Sequence, residues 1–157
     1  MKYYPINLNI KGKTCVVIGG GRVAERKIRN ILLHGGMVRV ISPELTIRLR
    51  ALVDRGKVEY VRGEYRPNVL KGAFLVYATT SSRKVNARVT RDAQKEGLLV
   101  NVCDSVREST FILPAILRKR GIAISVSTDG ASPARSVHIR DRLKKLVDKE
   151  ILLKNEG

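Results

Sequence analysis

The chain has 157 residues, 43% of them hydrophobic but only 4% aromatic. One domain, or one domain with a small appendage, is expected, with Val, Ile and Leu filling the core as they do in parallel strands buried on both faces. Lys and Arg number 31 against 14 Asp and Glu, a formal charge of +17, which favours anionic partners and does not by itself choose among nucleic acid, a polycarboxylate and a pyrophosphate.

Taken in chain order, the apolar pattern alternates between two periods. Lys13–Ile18 is a short β-branched run and predicts a strand; Gly19–Arg22 predicts a turn. Val23–Leu33 places Ala24, Ile28, Ile31 and Leu32 on one helical face, and Gly35-Gly36 ends that helix. Met37–Ile41 predicts a second strand. A second helix is expected to open at Pro43 or Glu44, with Ser42 as its cap and Leu45, Leu49, Leu52 and Val53 as its apolar face. Val58–Val61 and Phe74–Tyr77 predict two more strands, Arg83–Glu96 a helix carrying Val85, Val89 and Ala93, and Leu98–Val102 a fifth strand. The alternation implies a Rossmann-type α/β domain, a parallel sheet covered by helices, over residues 1–110.

The pattern changes after that. Thr110–Ile116 and Ile122–Ser127 read as two extended runs separated by a basic link, Leu117–Gly121. Ser132 then caps, with Pro133 at the first position, an amphipathic segment Ala134–Leu153 whose Ile139, Leu143, Leu146 and Val147 share a stripe suited to core or dimer packing. Residues 111–157 thus read as a second region, a strand pair followed by a long helix.

Gly19-Gly20-Gly21-Arg22-Val23-Ala24 reads G-x-G-x-x-A between a predicted strand and a predicted helix, the context in which this spacing cradles a dinucleotide pyrophosphate. Gly19 permits the tight turn, Gly21 lets the backbone approach the phosphates, and Ala24 lets the helix lie close to the sheet. Free amides at the helix start then face the anion. The second strand ends Val40-Ile41-Ser42-Pro43-Glu44. Its tip carries Ser42 rather than an acid; Glu44 is placed either at the adenosine ribose or in solvent, and the absence of an Arg right after Ser42 favours NAD over NADP.

Asp104 follows the fifth strand, where the ligand crevice of an open parallel sheet lies. It reads either as a general base or as a turn residue capping backbone amides. Ser127, Thr128 and Ser132 belong to a run of small hydroxyl residues before the last helix, suited either to hydrogen-bonding carboxylates or to simple capping. Cys15 and Cys103 adjoin apolar runs and form no zinc or Cys-x-x-Cys pattern, so both are expected as buried thiols, and no metal ligands are assigned. Met1–Pro5 lacks the apolar stretch of a signal peptide, and no apolar run approaches the ~20 residues of a membrane helix. The expectation is a cytoplasmic protein without a membrane partner.

Together these motifs resemble the precorrin-2 dehydrogenase family, the oxidase module of siroheme synthases. The resemblance runs along Tyr4-Pro5-Ile6-Asn7-Leu8, Val17-Ile18 into Gly19–Lys27, Ile41–Glu44, Gly72–Thr80, Asn86, Asn101-Val102-Cys103-Asp104, Phe111–Ala115 and Ala131–Arg135. It implies oxidation of precorrin-2 to sirohydrochlorin with NAD+ as hydride acceptor. The family's essential aspartate falls on Asp104, in proton removal or substrate orientation. Its cofactor contacts fall on Gly20–Val23 and Pro43-Glu44, and Thr79 and Thr80 in the matched stretch join that set. The family is homodimeric through the region after Thr110. A basic crevice would attract both the pyrophosphate and a polycarboxylic tetrapyrrole. The resemblance departs at Asp129-Gly130, where the family usually carries Gly-Gly. Two alternatives stand beside the dehydrogenase. Some relatives also insert Fe2+ or Co2+ into sirohydrochlorin, which here would rest on Asp104. A non-enzymatic nucleotide, nucleic-acid or redox-sensing module fits the charge but lacks an aromatic platform or a basic recognition motif, so no nucleic-acid partner is assigned.

Overall fold

A computed structural model describes residues 3–153, without the side chains of residues 149–153. The chain divides into two compact units, Ile6–Phe111 and a smaller one whose described residues are 3–5 and 112–153. Residues 1–2 and 154–157, at the ends of the two regions expected from the sequence, lie outside the described residues.

The larger unit is a five-stranded parallel sheet in the order β3-β2-β1-β4-β5. Its elements are β1 (Thr14–Ile18), α1 (Arg22–Leu33), β2 (Met37–Ser42), α2 (Ile47–Asp54), β3 (Glu59–Arg62), β4 (Leu75–Ala78), α3 (Arg83–Lys95) and β5 (Leu99–Val102). This is the Rossmann-type α/β architecture. β1 lies at the centre, paired with β2 on one side and β4 on the other. Because β1, β2 and β3 run outward one way and β4 and β5 the other, a crevice opens at the carboxyl ends of β1 and β4.

Both faces of the sheet are buried. Cys15 and Val17 point into a cluster with Ala24, Ile28 and Ile31 of α1 and Leu49 of α2. Val16 and Ile18 point the other way, into a cluster with Val89 and Ala93 of α3 and with Leu70 of a 3-10 turn at Pro67–Leu70. Alternation with an apolar residue at every position is what a central parallel strand requires. α1 ends as the double glycine predicts. Gly36 N donates to Ile31 O, Gly35 N donates to Leu32 O, and Gly35 takes φ 71°, a left-handed stop that closes the last turn.

The second helix begins later than expected. Ser42 is the last residue of β2, paired with Arg62, and does not cap a helix. Residues 43–46 instead cross beneath the glycine turn, where Thr46 N donates to Gly20 O. Thr46 is the cap of α2, its Oγ1 accepting from Leu49 N at 3.2 Å. The tertiary contact with the turn overrides the local Ser-Pro signal.

In the smaller unit, β6 (Ala115–Lys119) and β7 (Ile122–Val126) form an antiparallel hairpin, followed by α4 (Pro133–Leu153). The strand expected at Thr110–Ile116 is displaced toward the C-terminus, and the basic link shrinks to Arg120-Gly121. Both residues have positive φ, 46° and 79°, the two-residue turn whose twist matches a hairpin, and pairing therefore extends to Lys119 with Ile122. Thr110 is engaged elsewhere, its N donating to Val100 O at 2.8 Å. Ser132 caps α4 as expected, its Oγ accepting from Arg135 N. Ile139, Leu143 and Val147 are half-buried, whereas Leu146 of the expected stripe is exposed. Asp129 adopts φ 51°, a conformation that Gly prefers and Asp tolerates, at the position where the resemblance departs from Gly-Gly. Among the described residues no helix is long and apolar enough to cross a membrane.

Candidate active site

The β1–α1 turn is built from three glycines with three different reasons. Gly19 has φ 116°, and a Cβ there would stand 2.9 Å from the Thr79 carbonyl. Gly20 is the most crowded, since a Cβ would stand 2.0 Å from Glu44 O and 2.9 Å from Ser42 Oγ. Gly21 caps α1 in an extended conformation, and a Cβ there would meet nothing within 4 Å. Two glycines thus let segments cross, while the third presents bare backbone to open space at the amino end of α1. The first-turn amides and the helix dipole make that space suited to an anion.

A cavity of about 620 Å³ opens from this turn. Of the residues assigned to the cofactor from sequence, Gly19, Gly20, Gly21, Arg22, Val23, Ser42, Pro43, Thr79 and Thr80 line it. Ala24 and Glu44 do not. Ala24 is fully buried against the sheet, the close-packing position. The Glu44 side chain is exposed, and its carbonyl is the atom packed against Gly20. Thr79 is turned back, its Oγ1 donating to Ile18 O at 2.8 Å, which holds β4 and β1 together where the crevice begins. The cavity continues past residues that the sequence did not assign to a site: Gly63, Glu64 and Tyr65 after β3, and Val85, expected only as part of an apolar helix face, and Arg88 of α3. Tyr65 is fixed by its hydroxyl donating to Asp92 Oδ2 at 3.0 Å, with the Arg88 guanidinium over its ring.

At the other end the lining reaches Cys103 and stops one residue short of Asp104. Cys103 is exposed, against the expectation of a buried thiol, because it follows β5 rather than lying in it; partial burial and the neighbouring Asp104 nevertheless push its thiol pKa up. Cys15, inside β1, is buried as expected, and desolvation lifts its thiol to about 11.

Asp104 is held by a side chain from α3. Asn86 is 0% exposed. Its Oδ1 accepts from Thr80 N at 3.1 Å and from Thr80 Oγ1 at 2.8 Å. Its Nδ2 donates to Thr80 O and to Asp104 Oδ2, both at 3.0 Å. The amide therefore ties the loop after β4 to the loop after β5. Arg83, at the start of α3, stands 3.6 Å from Asp104 Oδ1 and also pairs with Glu108, whose hydrogen bond raises the guanidinium pKa further. Asp104 is thus oriented by one neutral and one cationic donor, while its side chain stays 34% exposed. Asn86 was visible in the sequence only as one matched position. A polar residue on the buried face of a helix, next to Val85 and Val89, is the signal that it has partners.

Ser127, Thr128 and Ser132 lie in the smaller unit. Their hydroxyls serve the turn before α4: Ser127 Oγ accepts from Asp129 N at 3.1 Å, and Thr128 Oγ1 accepts from Ser132 N at 3.0 Å. The capping half of the two sequence readings is therefore in place.

A family profile described as putative NAD(P)-binding matches residues 6–115. The chain is 38% identical over 147 residues to the siroheme synthase of Chromobacterium violaceum, covering 94% of this chain and 31% of that protein. It is 39% identical, with the same coverages, to the siroheme synthase of Nitrosococcus oceani. The chain spans about a third of the length of the curated relatives it matches. Among solved structures, SirC, a precorrin-2 dehydrogenase, superposes with a TM-score of 0.82 at 26% identity, covering 91% of this chain and 70% of that one.

Proposed function

Because the chain belongs to the putative NAD(P)-binding family, we propose that it oxidises precorrin-2 to sirohydrochlorin with NAD+ as hydride acceptor. The observation that carries this reading is the pairing of two features at adjacent strand ends. One is a glycine turn with open space over Gly21; the other is a carboxylate, Asp104, fixed by Asn86 just beyond the same cavity. The likeness to SirC over 91% of the chain supports the choice of substrate.

The residues present fit a dinucleotide. The bare backbone of the Gly19–Gly21 turn and the amides of Arg22 and Val23 would hold its pyrophosphate; Ser42 and Pro43 at the end of β2 would meet the adenosine, with Glu44 just outside the cavity; Thr79 and Thr80 would border the nicotinamide half. When bound, the cofactor supplies the acceptor for a hydride. Asp104 would take the proton that the substrate loses from a second bond alongside the hydride, so that one hydride and one proton account for the two hydrogens removed. Asn86 keeps Asp104 Oδ2 engaged, and Arg83 shields its charge until the proton arrives. Ser127, Thr128 and Ser132 contribute hydroxyls to substrate carboxylates, the enzyme acts as a homodimer through residues 111–157, and it works in the cytoplasm.

An anaerobic assay with precorrin-2 and NAD+ tests the reading. NADH should form in step with sirohydrochlorin. No NADH above the protein-free rate, with NAD+ bound, would overturn it.

A further inference from the structure

Lys27 lies on α1 one helical turn after Val23, which lines the cavity. Its amine does not reach solvent freely. Nζ donates to Asn101 Oδ1 at 3.0 Å and sits 5.7 Å from the centre of the Tyr77 ring, on neighbouring strands where Tyr77 and Asn101 are in register. Asn101 is itself fixed, its Nδ2 donating to Phe111 O at 3.0 Å. Among the described residues no carboxylate pairs with this ammonium. An apolar side chain would pack against Tyr77 with no electrostatic penalty, so a desolvated cation without a counter-ion is a cost that packing does not explain. The ammonium has three donors and Asn101 uses one, leaving two for an oxygen anion. The charge also lies close enough to act on the thiol of Cys103, the cavity residue that precedes Asp104.

We infer that the Lys27 ammonium, held by Asn101 beside the Val23 and Cys103 wall of the cavity, is a binding site for a carboxylate of the substrate. The inference rests on the tetrapyrrole reading above, whose substrate carries several carboxylates. The pyrophosphate has its own place at Gly21, before Val23, so the anion at Lys27 is a second one. The amine lies one helical turn from Val23 and close to Cys103, which precedes Asp104, so a carboxylate held there would place the macrocycle near the proton acceptor.

The test compares the wild type with Lys27→Met, Lys27→Gln and Lys27→Arg. Circular dichroism and NAD+ affinity serve as checks on the fold, and Lys27→Gln keeps a donor for Asn101 should Lys27→Met fail to fold. Two quantities are read: KM against kcat for precorrin-2, and the affinity for sirohydrochlorin from quenching of its own fluorescence. The neutral variants should raise KM and weaken sirohydrochlorin binding at least tenfold, with NAD+ affinity changed less than twofold, and Lys27→Arg should recover most of the loss. Unchanged sirohydrochlorin affinity, or an equal loss of NAD+ affinity, would overturn the assignment. If the wild type binds sirohydrochlorin without oxidising precorrin-2, the dehydrogenase reading falls, while the Lys27 site is still decided by the binding arm alone.

Discussion

The glycine turn at the start of α1 and the Asp104 cluster beyond β5 face the same crevice but are made of different material. The turn is backbone: Gly19 and Gly20 are there because any side chain would strike Thr79 or Glu44, and Gly21 because bare backbone borders open space. The cluster is side chain: Asp104 is aimed by Asn86 and Arg83, two residues of α3 distant from it in the chain. The first tolerates almost no change in volume and depends little on charge. The second depends on hydrogen bonds and charge and tolerates only isosteric change. A site of the first kind binds without reorganising, and one of the second kind can move a proton.

Substitutions can break this comparison. Asp104→Ala should reduce kcat for precorrin-2 oxidation by roughly two to four orders of magnitude, the usual worth of a positioned base, with NAD+ affinity retained in a titration. Near-full turnover would remove Asp104 from the chemistry. Gly20→Ala should destabilise the protein by about 3 kcal/mol, because the new methyl meets a backbone carbonyl that cannot rotate away; thermal unfolding would register it. Gly21→Val is the sharpening partner. It should leave thermal stability close to that of the wild type, yet abolish measurable NAD+ binding by filling the open space. Equal effects from both substitutions would dissolve the distinction drawn among the glycines.

Asn86→Leu tests the side-chain half. It leaves Thr80 and Asp104 without their shared partner, which should cost about 2 kcal/mol of stability and lower kcat while NAD+ affinity changes little. An unchanged kcat would mean that Arg83 alone orients Asp104. The smallest expected effect is one of pH. Burial, with Arg26 nearby, lowers the Lys27 pKa to about 8 from an ordinary 10.5. Between those values the unfolded chain holds the proton and the folded one does not, so raising the pH through that window favours the fold. Cys15, Tyr65 and Tyr77, whose pKa values burial raises, work in the opposite direction. Urea titrations of wild type and Lys27→Met between pH 7 and 10 should therefore differ in slope, the wild type gaining relative to the variant. Parallel curves would mean that the amine is hydrated.

The contrast also explains what could be read early. The double-glycine end of α1, the alternation of strands with helices and the phosphate turn are written in contiguous residues, because backbone conformation is a local property: Gly35 at φ 71° needs only its own neighbours. The β6–β7 hairpin shows the same limit from the other side, since the extent of pairing past Leu117 depends on the partner strand. So does the start of α2, where Ser42-Pro43 carried a local capping signal that the crossing under Gly20 cancelled.

The sequence by itself determined the order of elements, the doubly covered parallel sheet and the glycine turn, since these follow from periodicity and from the steric freedom of single residues. Only the tertiary structure decided that Cys103 is exposed, that Glu44 serves through its carbonyl, that Asn86 reaches Asp104 and that Lys27 reaches Asn101. Those facts depend on which distant side chains converge once the strands are in register; spacing along the chain can flag a buried polar residue such as Asn86 but does not name its partner.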